Sequence, residues 1–247
     1  MNVLLSCDTN PYYYDFWPYV KEVWQERIGI NPKLVFINDS KQTHKFVDSI
    51  MYVKKLDNYP IYLQAQLARI YYTQFFEEEI CLLSDIDMFP VSKKFFDKQK
   101  IKENCDYNTF FHLNPEVREF GQLPLCYYCG YGKTYKKLLK DLSWKEFLKK
   151  IISLNFDVTK SNFTLPNHLK NNNLWFSDEM YMFTEIKKNN LKIKKNNETA
   201  MGRRVDREEI KKINYLNFFN DKIVDIHMPR PPHNYKDYID KIFYGLV

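Results

Sequence analysis

Two aspartates, Asp85 and Asp87, stand one residue apart at the end of the segment EICLLSDIDMFPV, residues 79–91. The four residues before the pair's serine, Ile80, Cys81, Leu82 and Leu83, form a short apolar run of the kind that makes a strand buried on both faces. Carboxylates at such an exit pack nothing. On an extended backbone Asp85 and Asp87 point to one side and Ile86 to the other. Like charges this close repel unless a cation lies between them, and a hard divalent ion shared with a diphosphate relieves the repulsion. The plainer alternative is an acidic turn, where aspartate is common in any case. Pro90 is expected to end strand pairing beyond the pair.

A parallel sheet would place that pair at its carboxyl edge, where α/β folds bind ligands. The preceding segment supplies such a setting. Residues 3–8 read as a first strand, a helix follows from residue 15 or 17 to 27, and residues 33–37, KLVFI, read as a second buried strand. A nucleotide commonly lies over the first strand's exit, so Asp8, Thr9 and Tyr14 are candidate contacts, or else the tyrosines form a lid packed on the helix. Residues 46–56 look irregular. Residues 61–76 carry the clearest helical spacing, with Leu63, Leu67 and Ile70 on one face. Arg69 in that helix either braces the carboxylates or a phosphate, or is simply solvated.

Beyond the pair, Ser92 is expected to cap a helix over 92–100, and residues 105–113 and 125–131 read as strands. The glycines at 130 and 132 before Lys133-Thr134 lack the spacing of a phosphate loop, and are read as allowing close approach to a sugar or a neighbouring loop. Helices follow over 133–139 and, capped by Ser143, over 144–154. Residues 155–173 and 187–197 read as polar loops, with acceptor sequons at Asn162 and Asn197. Ser177 is placed to cap a helix running to about residue 188, whose first turn holds Asp178 and Glu179. Those acids either serve the helix start or project toward a substrate hydroxyl. Arg203 and Arg204 could meet phosphate or lie on the surface. Residues 223–226 form a last strand delivering His227, a candidate metal ligand, with Arg230 beside it, and a terminal helix over 235–244 packs Tyr238 among others.

The totals agree with this outline. A chain of 247 residues with 45% apolar content can bury one substantial core. We expect one domain over 1–247, with a donor half (1–115) and an acceptor half (116–247). A net charge of +6, spread along the chain, suits an anionic small-molecule substrate and argues against nucleic acid. Five cysteines, an odd number in apolar segments, suggest reduced core thiols and a cytoplasmic setting. Cys126-x-x-Cys129 lacks the further ligands zinc requires. No apolar run approaches the ~18 residues of a membrane span.

Taken together the chain resembles the GT-A class of nucleotide-sugar-dependent glycosyltransferases. Ser84-Asp85-Ile86-Asp87 matches their D-x-D element, residues 3–8 their first strand and donor loop, residues 61–76 with Gln64 and Arg69 the helix before the D-x-D strand, Trp175-Phe176-Ser177-Asp178-Glu179 the acceptor-side motif, and residues 224–228 the late strand that supplies a histidine. The resemblance implies a mixed, mainly parallel α/β sheet flanked by helices. It implies Mn²⁺ or Mg²⁺ on Asp85, Asp87 and His227, and a UDP-sugar contacted by Cys7, Asp8, Thr9, Tyr14, Arg69, Asp85 and Arg230. It also implies a carbohydrate acceptor near Asp178 and Glu179. The H-x-x-G-x-x-K continuation of the glycogenin-like members is replaced by Pro229-Arg230-Pro231-Pro232. A short Lys/Asn-rich chain without a leader is expected of a microbial or large-DNA-virus enzyme, in the latter case in the host cytoplasm. A metal-dependent nucleotidyltransferase and a non-catalytic glycan-binding protein are the rival readings.

Overall fold

A computed structural model describes residues 1–39, 46–113, 123–156, 174–196, 202–213 and 215–247. Ten strands and eight α-helices lie among the described residues. The strands are β1 (Asn2–Asp8), β2 (Pro32–Asn38), β3 (Ile50–Lys54), β4 (Ile80–Leu83), β5 (Met88–Pro90), β6 (Thr109–His112), β7 (Tyr128–Tyr131), β8 (Lys192–Lys195), β9 (Arg203–Val205) and β10 (Ile223–His227). The helices are α1 (Pro11–Tyr14), α2 (Trp17–Glu22), α3 (Ile61–Tyr71), α4 (Lys98–Asn104), α5 (Gly132–Leu139), α6 (Trp144–Ser153), α7 (Ser177–Lys188) and α8 (Lys236–Leu246). No described helix is long and apolar enough to cross a membrane.

Seven strands form a mixed, mainly parallel sheet in the order β3-β2-β1-β4-β7-β6-β8, in which β7 alone runs antiparallel to its neighbours. Side chains alternate across each strand, and the apolar runs of β1 and β4 therefore feed two cores. Val3, Leu5, Ile80 and Leu82 face one core with Val20 and Trp24, and with Ile239 and Ile242 of α8. Leu4, Cys81 and Leu83 face the other, packed by Leu63 and Leu67 of α3, Leu138 of α5, Phe147 of α6 and Met182 of α7. Helices thus flank both faces. A small sheet, β5-β10-β9, lies against the first core.

Several expected boundaries shift for identifiable reasons. The segment 46–56 contains strand β3, whose Met51 and Val53 alternate inward and add an edge to β2. The lysine-rich stretch after residue 187 contains β8, an edge strand beside β6 whose charged, outward side chains hide its pairing from any hydrophobic pattern. Ser92 holds only a turn, accepting from the Phe95 amide. Asp97 caps α4 instead, accepting from the Lys100 amide at 2.7 Å. Pairing after the aspartates ends at Pro90, the last residue of edge strand β5, which sits opposite Asp225 of β10. Tyr238 of α8 is exposed. A side chain on Gly132 would collide with the Phe76 backbone, and one on Gly130 with the Phe110 ring. These glycines therefore serve packing, and Gly132 stands at the edge of the sheet opposite the aspartates. The sequons, Met201, and most of the loop 155–173 lie outside the described residues.

Candidate active site

β4 ends at Leu83, and the chain then turns. The Met88 amide donates to the Asp85 carbonyl at 3.3 Å. Asp85 and Asp87 therefore sit on a turn and not on one extended strand, and their carboxylates engage different partners. This corrects the expectation that both point to one side. Local charge explains the split, because cationic groups reach the turn from two directions.

The first group comes from α3. Arg69, 8% exposed, donates to the Ser84 carbonyl at 3.1 Å and pairs with the Asp85 carboxylate. Its other terminal nitrogen lies 3.2 Å from Asp178, which is 3% exposed in the first turn of α7. Burial opposes the Arg69 charge, but Asp85 and Asp178 outweigh it and raise its pKa. Burial also raises the Asp178 pKa, against the pull of Arg69 and the Glu179 amide, which donates to Asp178 Oδ1 at 2.9 Å. Ser177 is the first residue of α7 and not its cap; Phe176 holds the cap position and the Ser177 hydroxyl caps nothing. Asp178 is thus committed to Arg69. Glu179 is half-buried beside it.

The second group surrounds Asp87, which is 4% exposed. The antiparallel register of β5 on β10 sets Met88 opposite His227, and the Met228 amide donates to the Asp87 carbonyl at 2.8 Å. That pairing brings His227 Nε2 to 3.4 Å from Asp87 Oδ2. Arg207 Nη2 donates to the same oxygen at 2.7 Å, and Arg230 Nε lies 3.3 Å from it. Burial works to raise the Asp87 pKa, but the imidazole of His227 and the guanidiniums of Arg230 and Arg207 hold it well below the usual carboxylate range. Arg230 also covers the Tyr13 ring at 4.8 Å and touches its hydroxyl. The Tyr13 pKa is raised, chiefly by burial, and feels Arg230, Asp87, Arg207 and Asp8, which ties the β1 exit to the β4 exit.

At the end of β1, Asp8 is buried and accepts from the Asn10 amide at 2.9 Å, while Thr9 is exposed. The Cys7 side chain belongs to the core, and burial pushes its thiol pKa up, so its backbone and not its thiol is what a ligand could meet. Tyr14 stacks on Phe36 at 4.5 Å; its neighbour Tyr13 is the tyrosine that joins the charged cluster. Arg203 and Arg204 are spent elsewhere: Arg203 pairs with Glu209 at 2.7 Å and Arg204 with the buried Asp225 at 2.8 Å. Tyr13, Asp206 and Arg207 escape sequence reading. Tyr13 is one of three consecutive tyrosines, and Asp206-Arg207 resembles an ordinary capped turn, which it also is.

Asp87 and His227 fit a divalent cation. Two ligands each roughly 2.1 Å from an octahedral ion lie about 3 Å apart, close to the spacing seen. His227 Nδ1 faces Asp206 Oδ1 at 3.5 Å, in the place of the outer carboxylate that orients metal-binding histidines. Asp85 is turned to Arg69, and among the described residues no three metal-ligating side chains converge. Ions of this kind often take one or two protein ligands and complete their shell with phosphate oxygens and water.

No protein-family model matches the chain, and no curated protein does. Among solved structures it is similar to a mutant of Drosophila β-1,4-galactosyltransferase 7 in complex with manganese, UDP-Gal and xylobiose, at 12% identity and TM-score 0.46, covering 96% of this chain and 73% of that one. It is similar to the apo form of the glycosyltransferase GlyE of Streptococcus pneumoniae at 11% identity and TM-score 0.46, covering 98% and 62%. A glycosyltransferase involved in glycosylation of the major capsid of PBCV-1 gives 14% identity and TM-score 0.45, covering 97% and 98%. Likenesses of this size fix neither a fold family nor an activity.

Proposed function

We propose that this chain is a divalent-cation-dependent glycosyltransferase of GT-A type, moving a hexose or deoxyhexose from a UDP-sugar to a hydroxyl of a glycan or related acceptor. The supporting observation is the surroundings of Asp87. A nearly fully buried carboxylate is met by two guanidiniums and an imidazole from segments far apart in sequence. Such a cluster carries more cationic charge than its own acid needs, and that surplus suits a leaving diphosphate. Asp87 and His227 would hold a Mn²⁺ or Mg²⁺ ion, with Asp85 two residues away, and the ion when bound supplies Lewis-acid neutralisation of the leaving group.

The chain's own residues do the rest. Arg230, fixed over Tyr13, presents its guanidinium to the phosphates. Asp8, Thr9 and Tyr14 border the nucleotide at the β1 exit. Arg69, held between Asp85 and Asp178, fixes the turn that carries Asp87. Asp178 therefore positions groups and does not deprotonate the acceptor, which favours retention of configuration. Glu179 is the remaining acid on the acceptor side.

A screen of nucleotide sugars for binding and slow donor hydrolysis, with and without Mn²⁺, tests the reading. One UDP-sugar should bind and be hydrolysed only with the metal, and Asp87→Asn should lower turnover by at least about 100-fold. Unchanged turnover in that variant overturns the assignment.

A further inference from the structure

One guanidinium occupies the place in which a metal ion would be expected. Arg207 Nη2 is bound at once by the two groups that fit a cation, Asp87 Oδ2 at 2.7 Å and His227 Nε2. Its Nε donates to the Met228 carbonyl at 3.1 Å, so the side chain spans the exit of β10. Asp206, the preceding residue, faces the other ring nitrogen of His227. Both residues open the short 3₁₀ segment Arg207–Lys212, where a capping box between Asp206 and Glu209 holds the chain. One dipeptide thus serves opposite ends: Asp206 sets the imidazole so that Nε2 faces the site, and Arg207 fills the position that Nε2 and Asp87 define.

From this we infer that Arg207 is a built-in counter-cation that competes with the divalent ion for Asp87 and His227 and must swing aside before the ion binds. The inference rests on the metal reading above. The arrangement has a physical rationale. A carboxylate as buried as Asp87 cannot stand alone, and an arginine from the same chain neutralises it without any metal. The Arg207 side chain is about a quarter exposed, so solvent lies on its outward side and gives it somewhere to go. A diphosphate arriving with the ion offers the displaced guanidinium a new anionic partner.

The alternative role is the opposite one, in which Arg207 merely holds Asp87 and His227 in place for the metal. The two roles predict changes of opposite sign in metal affinity. Mn²⁺ binding to the full chain without nucleotide, followed by the electron paramagnetic resonance signal of free Mn²⁺, separates them. Arg207→Met should bind Mn²⁺ about tenfold more tightly than the native chain, the factor one charge-assisted hydrogen bond supplies. Equal or weaker binding overturns the inference. Arg207→Gln, which removes the charge and keeps the N–H donors, should move in the same direction and carries the same test should Arg207→Met lose its native circular dichroism. Asp87→Asn distinguishes the two failures. Loss of binding in Asp87→Asn with no gain in either Arg207 variant refutes the competition alone, whereas unaltered binding in Asp87→Asn refutes the metal site and the competition with it.

Discussion

Replacing Arg69 by methionine isolates one electrostatic term in this fold. The side chain is buried and serves two carboxylates of unequal exposure: Asp85 is 39% exposed at its side chain, Asp178 only 4%. Without the guanidinium, water can still solvate Asp85. Asp178 has no such recourse and must either stay charged in the interior or take up a proton. Protonation caps the penalty. Moving a carboxyl with an ordinary pKa of about 3.9 into its neutral form at pH 7 costs roughly 4 kcal/mol, at about 1.36 kcal/mol per pH unit. The Asp178 share of the loss in Arg69→Met should stay below this figure, since burial already raises the Asp178 pKa in the native chain. The sign with pH follows. The variant's folded state holds a proton that its unfolded state releases above about pH 4, so its deficit grows with rising pH and closes as pH falls toward that value. Urea denaturation at pH 4.5, 6 and 7.5 measures it. The double variant Arg69→Met/Asp178→Asn should recover most of the loss at pH 7.5 and show little pH dependence. A deficit that is the same at all three pH values, or a double variant no better than the single one, would refute the claim that Asp178's stranded charge carries the cost.

Two further stability outcomes follow from ion pairs outside the candidate site. Asp225 is fully buried on β10 and takes two nitrogens of Arg204. Asp225→Ala should cost about 2–3 kcal/mol, below the full value for a buried pair because Arg204 keeps some solvent contact, and a thermal melt should show a drop of several degrees. Glu185 of α7 lies between Lys150 at 3.1 Å and Lys140 at 3.3 Å. Burial works to raise its pKa, but the two lysines prevail and lower it, so its contribution is complete above the unfolded value of about 4.3 and is lost as pH falls through the folded value. Because both lysines are partly exposed, Glu185→Gln should cost about 1 kcal/mol at pH 7, and that cost should shrink progressively as pH falls below about 4, measured by denaturant titration.

The local pattern alone determined the strands β1, β2, β4 and β10 and the helices α3, α5, α6 and α7, because each carries an apolar run or a helical stripe long enough to declare its own burial. It also marked Asp85 and Asp87 as residues with no packing reason to stand where they do, and His227, Arg69 and Asp178 as candidates that each had a plainer local account as well. It could not show which acid meets which base. β8 and β9 are short strands whose side chains are mostly charged, and a pairing decided by backbone hydrogen bonds leaves no periodic trace. The division of the aspartate pair depends on a turn after β4 and on where α3 and β10 deliver their cations, so an extended reading of Asp85-Ile86-Asp87 pointed both acids one way. Arg207 comes near Asp87 only because β10 pairs antiparallel with β5 and the 3₁₀ segment folds back across its end, and Tyr13 reaches the cluster from α1, just after β1, which lies parallel beside β4. Residue types and spacing decide what chemistry is available. The contacts between segments more than a hundred residues apart decide which charges neutralise one another, since Coulomb energies depend on distance in space and not on distance along the chain.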